Sequence, residues 1–360
     1  MALIMIDSFA HYRDSSGQLS LNKWLSSSSG SVNQQDSLRT GARAYQLNWT
    51  DHDLYQVGLG PFTRVYVGFA GYHESSITSY CFYIGNNGDW NNSLYVNSST
   101  GQIGVMRSTT VLSTSDTGVW NQDTWKYIEI KWRTHATLGE VEVRVNGTVV
   151  IDETNINTLG SGTADQIDRI YFNQSSNNCL WYFTDFYLDD SQFHGPCRVD
   201  CLRPNGNGHY TDFTPSTGQN YETVDDLYAA DSGDYNSITQ VGKDTYTFDN
   251  LSGVTGPIKG VQVTNCIEKL GGSSVKAKAI TRISSTDYQN SEEHDLANDT
   301  KYEHSAVWEV NPATSSAWLE SEVNGAEFGV EITAMSTTTT TSTTTTTSTT
   351  TTTTTTTTTI

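Results

Sequence analysis

The chain has 360 residues and a formal net charge of −20, from 20 basic against 40 acidic side chains. So acidic a protein is repelled by nucleic acid and by anionic membranes, which excludes both as expected partners. No stretch reaches the roughly eighteen apolar residues of a membrane-spanning helix, and an aromatic content of 11% is enough for two β-rich cores.

In chain order, the opening Met1-Ala-Leu-Ile-Met-Ile-Asp7 has no basic flank and its apolar run ends at Ile6. It is not expected to act as a secretory signal. Short β-rich runs between Gly, Asn, Ser and Asp clusters then predict strands over Ala42–Asn48, Thr63–Tyr72, Ser79–Gly85, Ser93–Asn97 and Gln102–Met106. Further strands are predicted over Tyr127–Arg133, Glu140–Val145, Thr148–Asp152, Asp168–Asn173 and Trp181–Leu188. Tyr127-Ile-Glu-Ile-Lys-Trp132 and Val141-Glu-Val-Arg-Val145 alternate apolar and charged residues, the mark of a strand with one wet face. Asn146-Gly147 between two such runs is a tight hairpin signal, whereas Gly58-Leu-Gly60 is expected to be a turn. Strands at this spacing with almost no helix imply an all-β sandwich or jelly roll over residues 1–193.

A boundary is expected near His194-Gly195-Pro196, with a second, smaller β-rich domain over 196–335. It should open with a strand-like Cys197–Leu202 and a long polar stretch. Strands follow at Ile258–Leu270 and Ser274–Ile283, joined by Gly271-Gly272, then at Glu303–Val310 and Ala326–Thr333. A helix-compatible segment, Pro312–Val323, lies between the last two. Residues 336–360 are almost pure threonine, which cannot bury a core alone. This tail is expected to be a disordered or extended stalk in a monomer. Two alternatives are an in-register β-stem between copies and an O-glycosylated carrier, with Thr337, Thr343 and Thr349 as candidate acceptors.

Chemistry-bearing groups are sparse. Glu140 and Glu142, and more loosely Glu327 and Glu331, have the strand spacing of paired carboxylates, but Arg144 beside the first pair points to a solvated face. Asp185, Asp189 and Asp190 cluster where a strand meets a loop and are the candidate Ca²⁺ ligands; no other cofactor is expected. The eight histidines are scattered, and no H-x-x-x-H, G-x-S-x-G or nucleotide-type glycine loop occurs, so no enzyme is expected. Five cysteines, Cys81, Cys179, Cys197, Cys201 and Cys266, leave one disulfide or free thiols equally open. Sequons such as Asn146-Gly-Thr148 are what so Asn- and Thr-rich a chain contains by composition. In Asn86-Asn-Gly-Asp-Trp-Asn-Asn92, tryptophan flanked by amides and a carboxylate suits stacking on a sugar ring. Asn87, Asp89, Trp90 and Asn91 are therefore the candidate glycan-binding residues, the alternative being a decorated hairpin loop.

Three segments of the first domain carry a resemblance to a known family. They are Leu3-Ile-Met-Ile-Asp-Ser-Phe-Ala-His-Tyr12, then Trp125-Lys-Tyr-Ile-Glu-Ile-Lys-Trp132 with Gly139–Thr148, and Asp168-Arg-Ile-Tyr171 leading to Trp181–Asp190. Together they resemble the concanavalin A-like, laminin-G-like sandwich of tailed-phage virion proteins. In the second domain the pieces are Arg198-Val, Pro204-Asn-Gly, Tyr210-Thr-Asp-Phe213, Asn220-Tyr221 and Val224-Asp-Asp226. Val307-Trp-Glu-Val-Asn-Pro312, Trp318 and Ala326-Glu-Phe-Gly-Val330 complete the order. That order is similar to a module that follows the sandwich in phage structural proteins, and threonine-rich ends occur there too. The resemblance implies a non-enzymatic virion protein, a head decoration, fibre or tail-tip subunit, placed on the particle surface. Its partners would be other virion proteins, further copies of itself as a trimer, and host cell-surface glycans. One alternative is an extracellular glycan-binding adhesin on an O-glycosylated threonine stalk; a lesser one is a glycoside hydrolase or lyase.

Overall fold

The computed structural model describes residues 3–10, 12, 24, 31–33, 44–48, 53–74, 78–86, 89–160, 165–173, 180–225, 233–271, 274–296, 299, 301–336, 339–344 and 352–357. Contacts divide the chain into two units. The first comprises Met1–Cys201, Leu227–Ala229 and Pro257–Gln262; the second comprises Leu202–Asp226, Ala230–Gly256 and Val263–Ile360.

The first unit contains β1 (Leu3–Asp7), β2 (Ser31–Asn33), β3 (Ala44–Asn48), β4 (Asp53–Phe62), β5 (Arg64–His73), β6 (Ser79–Asn86) and β7 (Asp89–Asn97). It continues with β8 (Gln102–Arg107), β9 (Thr110–Thr114), β10 (Lys126–Arg133), β11 (Gly139–Val145), β12 (Thr148–Ile156), β13 (Ile167–Asn173) and β14 (Leu180–Asp189). Two antiparallel sheets result. One runs β12-β11-β10-β5-β14-β3-β2 with β1 added to β14, and the other runs β4-β13-β6-β7-β8-β9. Period-two alternation sends one face of each sheet inward. Ile128, Ile130, Trp132, Val141, Val143, Trp181 and Phe183 from the first sheet meet Leu54, Phe82, Ile84, Leu94, Val96, Ile170 and Phe172 from the second in one core. The expected jelly-roll sandwich is thus present, and the strands predicted from period-two runs occur with ends shifted by a few residues.

Gly58-Leu-Gly60 departs from expectation. It lies inside β4, not in a turn, because Gly58 and Gly60 take left-handed φ values of 74° and 73° and form a bulge opposite β13. A second bulge in β14, between Thr184 and Tyr187, holds Asp185 at φ 52°. Phe183 and Phe186 consequently both enter the core, while Tyr187 and Asp189 turn to the opposite face.

On that opposite face the segment 190–201 lies against the sheet. Gly195 N donates to Glu129 Oε1 at 2.8 Å, Val199 N donates to Asp185 Oδ1 at 2.9 Å, and Phe193 packs edge-on against Tyr66 beneath the Arg144 guanidinium. Cys197–Leu202 is therefore not the opening strand of the second domain: its backbone is spent on this strap, and most of it belongs to the first unit.

The second unit contains β15 (Pro204–Thr211), β16 (Thr214–Pro215), β17 (Asn236–Ser237), β18 (Gly242–Phe248), β19 (Val261–Glu268, entering from the first unit) and β20 (Val275–Ile283). Then come β21 (Thr286–Gln289), β22 (His294–Asp295), β23 (Lys301–Trp308), the short helix α1 (Glu320–Asn324), and β24 (Glu327–Met335). The main sheet runs β15-β18-β24-β20-β21 with β22 on β20, while β19 pairs with β23 and β16 with β17. Two expectations are corrected. The polar stretch holds β15 and β18, stabilised by backbone pairing and not by an apolar run. Within the helix-compatible segment Pro312–Val323 only the part from Glu320 onward is helical, as the start of α1; Asn311 and Ser316 close a bridge. In the tail, β25 (Thr339–Thr344) and β26 (Thr352–Thr357) pair antiparallel within the chain.

Phe172 is fully buried, with ring centroids of Phe183, Phe82 and Phe69 at 4.4, 5.1 and 5.2 Å. Phe172→Ala is expected to destabilise the first unit by about 3–5 kcal/mol, measured as a lower urea midpoint at unchanged m.

Candidate functional site: a tyrosine face

The face of the β4-β13-β6-β7-β8-β9 sheet that points away from the core carries five half-buried tyrosines. Tyr55, Tyr171 and Tyr83 stand directly opposite one another on β4, β13 and β6. Their ring centroids are 6.0 Å (Tyr55 to Tyr171) and 5.5 Å (Tyr171 to Tyr83) apart. A bulge at Cys81 breaks the alternation of β6, so Tyr80 and Tyr83, an odd number of residues apart, share this face. Tyr80 stands opposite Tyr95 on β7, with centroids at 6.0 Å, and is the same distance from Tyr83. The row therefore continues without a break across four strands. Tyr95 lies flat on Gly104 of β8, where an added Cβ would sit 2.1 Å from the ring; the missing side chain is what allows the approach.

Polar groups flank the rings. Arg169 and Asn173 lie two residues either side of Tyr171 on the same strand face. The Arg169 Nε donates to Asp168 Oδ1 at 2.9 Å, and the Asn173 amide donates to the Tyr171 hydroxyl. Burial, then the neighbouring Tyr80, pushes the Tyr83 and Tyr95 hydroxyls above the ordinary tyrosine range. Both stay protonated at neutral pH and can donate as well as accept. Flat rings at about 6 Å intervals with amide, guanidinium and phenol groups beside them form a surface on which a chain of sugar rings can stack and be hydrogen-bonded.

The residues predicted from sequence fall partly elsewhere. Asn87 lies outside the described residues. Asp89, Trp90 and Asn91 begin β7, with Asp89 opposite Asn86, so this segment is the hairpin between two of the tyrosine-bearing strands; their side chains are outside the described set. Thr337 and Thr349 are also outside it, and Thr343 sits in β25 opposite Thr353.

Asp185, Asp189 and Asp190 do not converge. Asp185 and Asp189 are fully buried on the strap side of the other sheet. Asp189 Oδ1 accepts from Ser191 N at 2.6 Å, Ser191 Oγ at 2.9 Å and Gln192 N at 2.9 Å, and Oδ2 pairs with His194 Nε2 at 2.7 Å. Burial works against the Asp189 charge, but His194 and these amides outweigh it and hold the carboxyl below its usual range. Both carboxylates are engaged by protein donors, and among the described residues no group of three or more metal-ligating side chains occurs. No disulfide joins the described cysteines, and Cys179 lies outside them.

The paired glutamates are held by cations. Glu140 contacts Arg64 at 2.6 Å, Arg133 at 3.1 Å and Lys131 at 3.5 Å; Glu142 contacts Arg144 at 2.7 Å and Lys131 at 3.1 Å. Glu327 Oε2 accepts from His209 N and Thr245 Oγ1, and Glu331 Oε2 accepts from Gln289.

No family model matches the chain, and no curated protein matches it. Solved structures that it resembles include a sialidase at 12% identity and TM-score 0.36, over 52% of this chain and 19% of that one. Another is an endo-β-1,4-glucuronan lyase from the fungus Trichoderma reesei, at 10% identity and TM-score 0.35, over 52% of this chain and 100% of that one. A third is the receptor-binding domain of a botulinum neurotoxin C/D mosaic serotype, at 12% identity and TM-score 0.35, over 63% of this chain and 65% of that one. The match thus spans about a fifth of the sialidase's length.

Because Asp189 is ionised in the fold at a pH where the unfolded chain binds a proton, its contribution is full above about pH 4 and is lost as pH falls further. Asp189→Ala strips the buried His194 of its partner and is expected to cost about 3–5 kcal/mol. Added Ca²⁺ should leave the melting temperature of the unmodified protein unchanged. Both effects are read by calorimetry.

Proposed function

We propose that this chain is a non-enzymatic glycan-binding protein of a particle surface, and that its tyrosine face receives an extended oligosaccharide. The row Tyr55–Tyr171–Tyr83–Tyr80–Tyr95 carries this reading: it is continuous, crosses the strands, and has hydrogen-bonding groups along its flank. Binding is favoured over turnover because Glu140 and Glu142, the pair with catalytic spacing, are neutralised by four cationic side chains. Placement on a virion as a fibre, decoration or tail-tip subunit is supported by the order of motifs in both domains and by the acidity that keeps a high-copy surface protein soluble. An adhesin carried on an O-glycosylated threonine tail shares the same binding face.

Glycan-array binding followed by calorimetric titration tests the face. Tyr171→Ala and Tyr83→Ala are each expected to weaken the best array ligand about tenfold or more, the equivalent of about 1.4 kcal/mol, with little change in melting temperature. A flat array, or full affinity in both variants, overturns the reading. Mass spectrometry of purified particles tests placement separately: absence from particles removes the virion and leaves the adhesin.

A further inference from the structure

We propose that His294 and His304 form an acid-sensitive latch in the second unit, which holds the β19-β23 pair against the main sheet at neutral pH and releases it on protonation. The latch is built by strand register. His294 stands opposite Ala277 of β20, and Ala277 belongs to the core cluster of Val275, Leu296, Val330 and Ile332, so His294 points to the inner face of the main sheet. His304 projects from β23, and the two imidazole centroids are 4.5 Å apart with planes inclined at 38°. The pair thus bridges the main sheet and the two-stranded sheet. Ile267 of β19 packs on the same core cluster, and Asn290 Nδ2 donates to Val307 O at 3.0 Å, so β19 and β23 cover this face.

Both Nε2 atoms are buried, and neither has a hydrogen-bond partner among the described residues. Charged groups on the surrounding elements are directed elsewhere. Lys276 of β20 bonds Glu293 at 3.1 Å and Asp295 at 3.7 Å on the outer face, and Lys278 shares that face. On β23, Tyr302 stacks beside His304 with centroids 6.0 Å apart. Glu303 projects to the other side of the strand, where Cys266 of β19 feels it together with Lys301 and Glu268. Among the described residues no carboxylate faces the imidazoles to stabilise an imidazolium, and a second charge would meet the first at van der Waals range. Burial, and then the neighbouring His294, accordingly hold His304 down to about 4. A group depressed in the fold contributes stability that is complete above its unfolded value, near 6.5, and disappears as pH falls towards the folded one. Protons therefore bind preferentially to the open form, in which the imidazoles are hydrated and apart.

Hydrogen exchange of the full chain, followed on peptides covering Val261–Glu268 and Lys301–Trp308, tests the latch. Between pH 7.5 and pH 5, after correction for intrinsic exchange, opening of these strands is expected to become roughly thirtyfold more favourable through His304 alone. His304→Phe, which keeps a flat apolar ring and cannot titrate, should flatten that dependence and leave the first unit's peptides unchanged. An equal acid sensitivity in His304→Phe overturns the proposal, as does an NMR titration of the unmodified protein that places His304 near 6.5. The NMR titration remains decisive if the variant does not fold.

Discussion

Burial of β14 on both faces is the constraint from which the first unit follows. A strand covered on one side by a core and on the other by solvent needs only alternation. Here Trp181, Phe183, Phe186 and Leu188 fill the inner side, while Tyr187, Asp185 and Asp189 are buried on the other. The bulge at Asp185 reconciles the two demands by advancing the register between Phe183 and Phe186. It also aims the Asp185 carboxylate at the strap. Tyr187 crosses Gly68, where a Cβ would lie 2.0 Å from the ring, and reaches Glu129 at 2.6 Å. Asp185, Asp189 and the Glu129 Oε1 are met by donors from β14 or the strap, as desolvated carboxylates require.

With that side closed, the two outer faces of the sandwich have different characters. The β10–β11 region of the larger sheet carries alternating charges, in which Glu140 and Glu142 each lie against two or more cations. The smaller sheet carries the tyrosine row, whose rings are uncharged and only half buried. On the proposed function, the repeated apolar ring faces of a polysaccharide, edged by hydroxyls, would meet the second face and not the first. The second unit repeats the logic of a covered sheet with weaker means: its core cluster is small, and the paired imidazoles of His294 and His304 lie beside it.

The strand pattern was legible wherever one face is wet and the other dry. Lys126–Arg133 and Gly139–Val145 show their alternation openly, although the charged face is not wet throughout, Glu129 being buried beneath the strap. Asn146-Gly147 announces the turn into β12. Legibility failed where local chemistry and tertiary role diverge. β4 was hidden by glycines that serve as bulge residues, β18 by a polar composition that backbone pairing overrides, and the strap by an extended segment whose hydrogen bonds go to side chains. The candidate site suffered similarly. Tyr83, Tyr95 and Tyr171 sat in predicted strands, but only pairing brings them into one row with Tyr55, and only the Cys81 bulge turns Tyr80 towards them.

Composition and period-two patterning by themselves determined an acidic, all-β chain with a sandwich at its start and a threonine end, because those properties depend on residue type and near-neighbour spacing. Which strands became neighbours, which carboxylates were absorbed by donors, and which tyrosines share a face were decided by the tertiary structure. The physical reason is register: a one-residue bulge moves every following side chain to the other face, and no local window of sequence contains the partner strand that selects it.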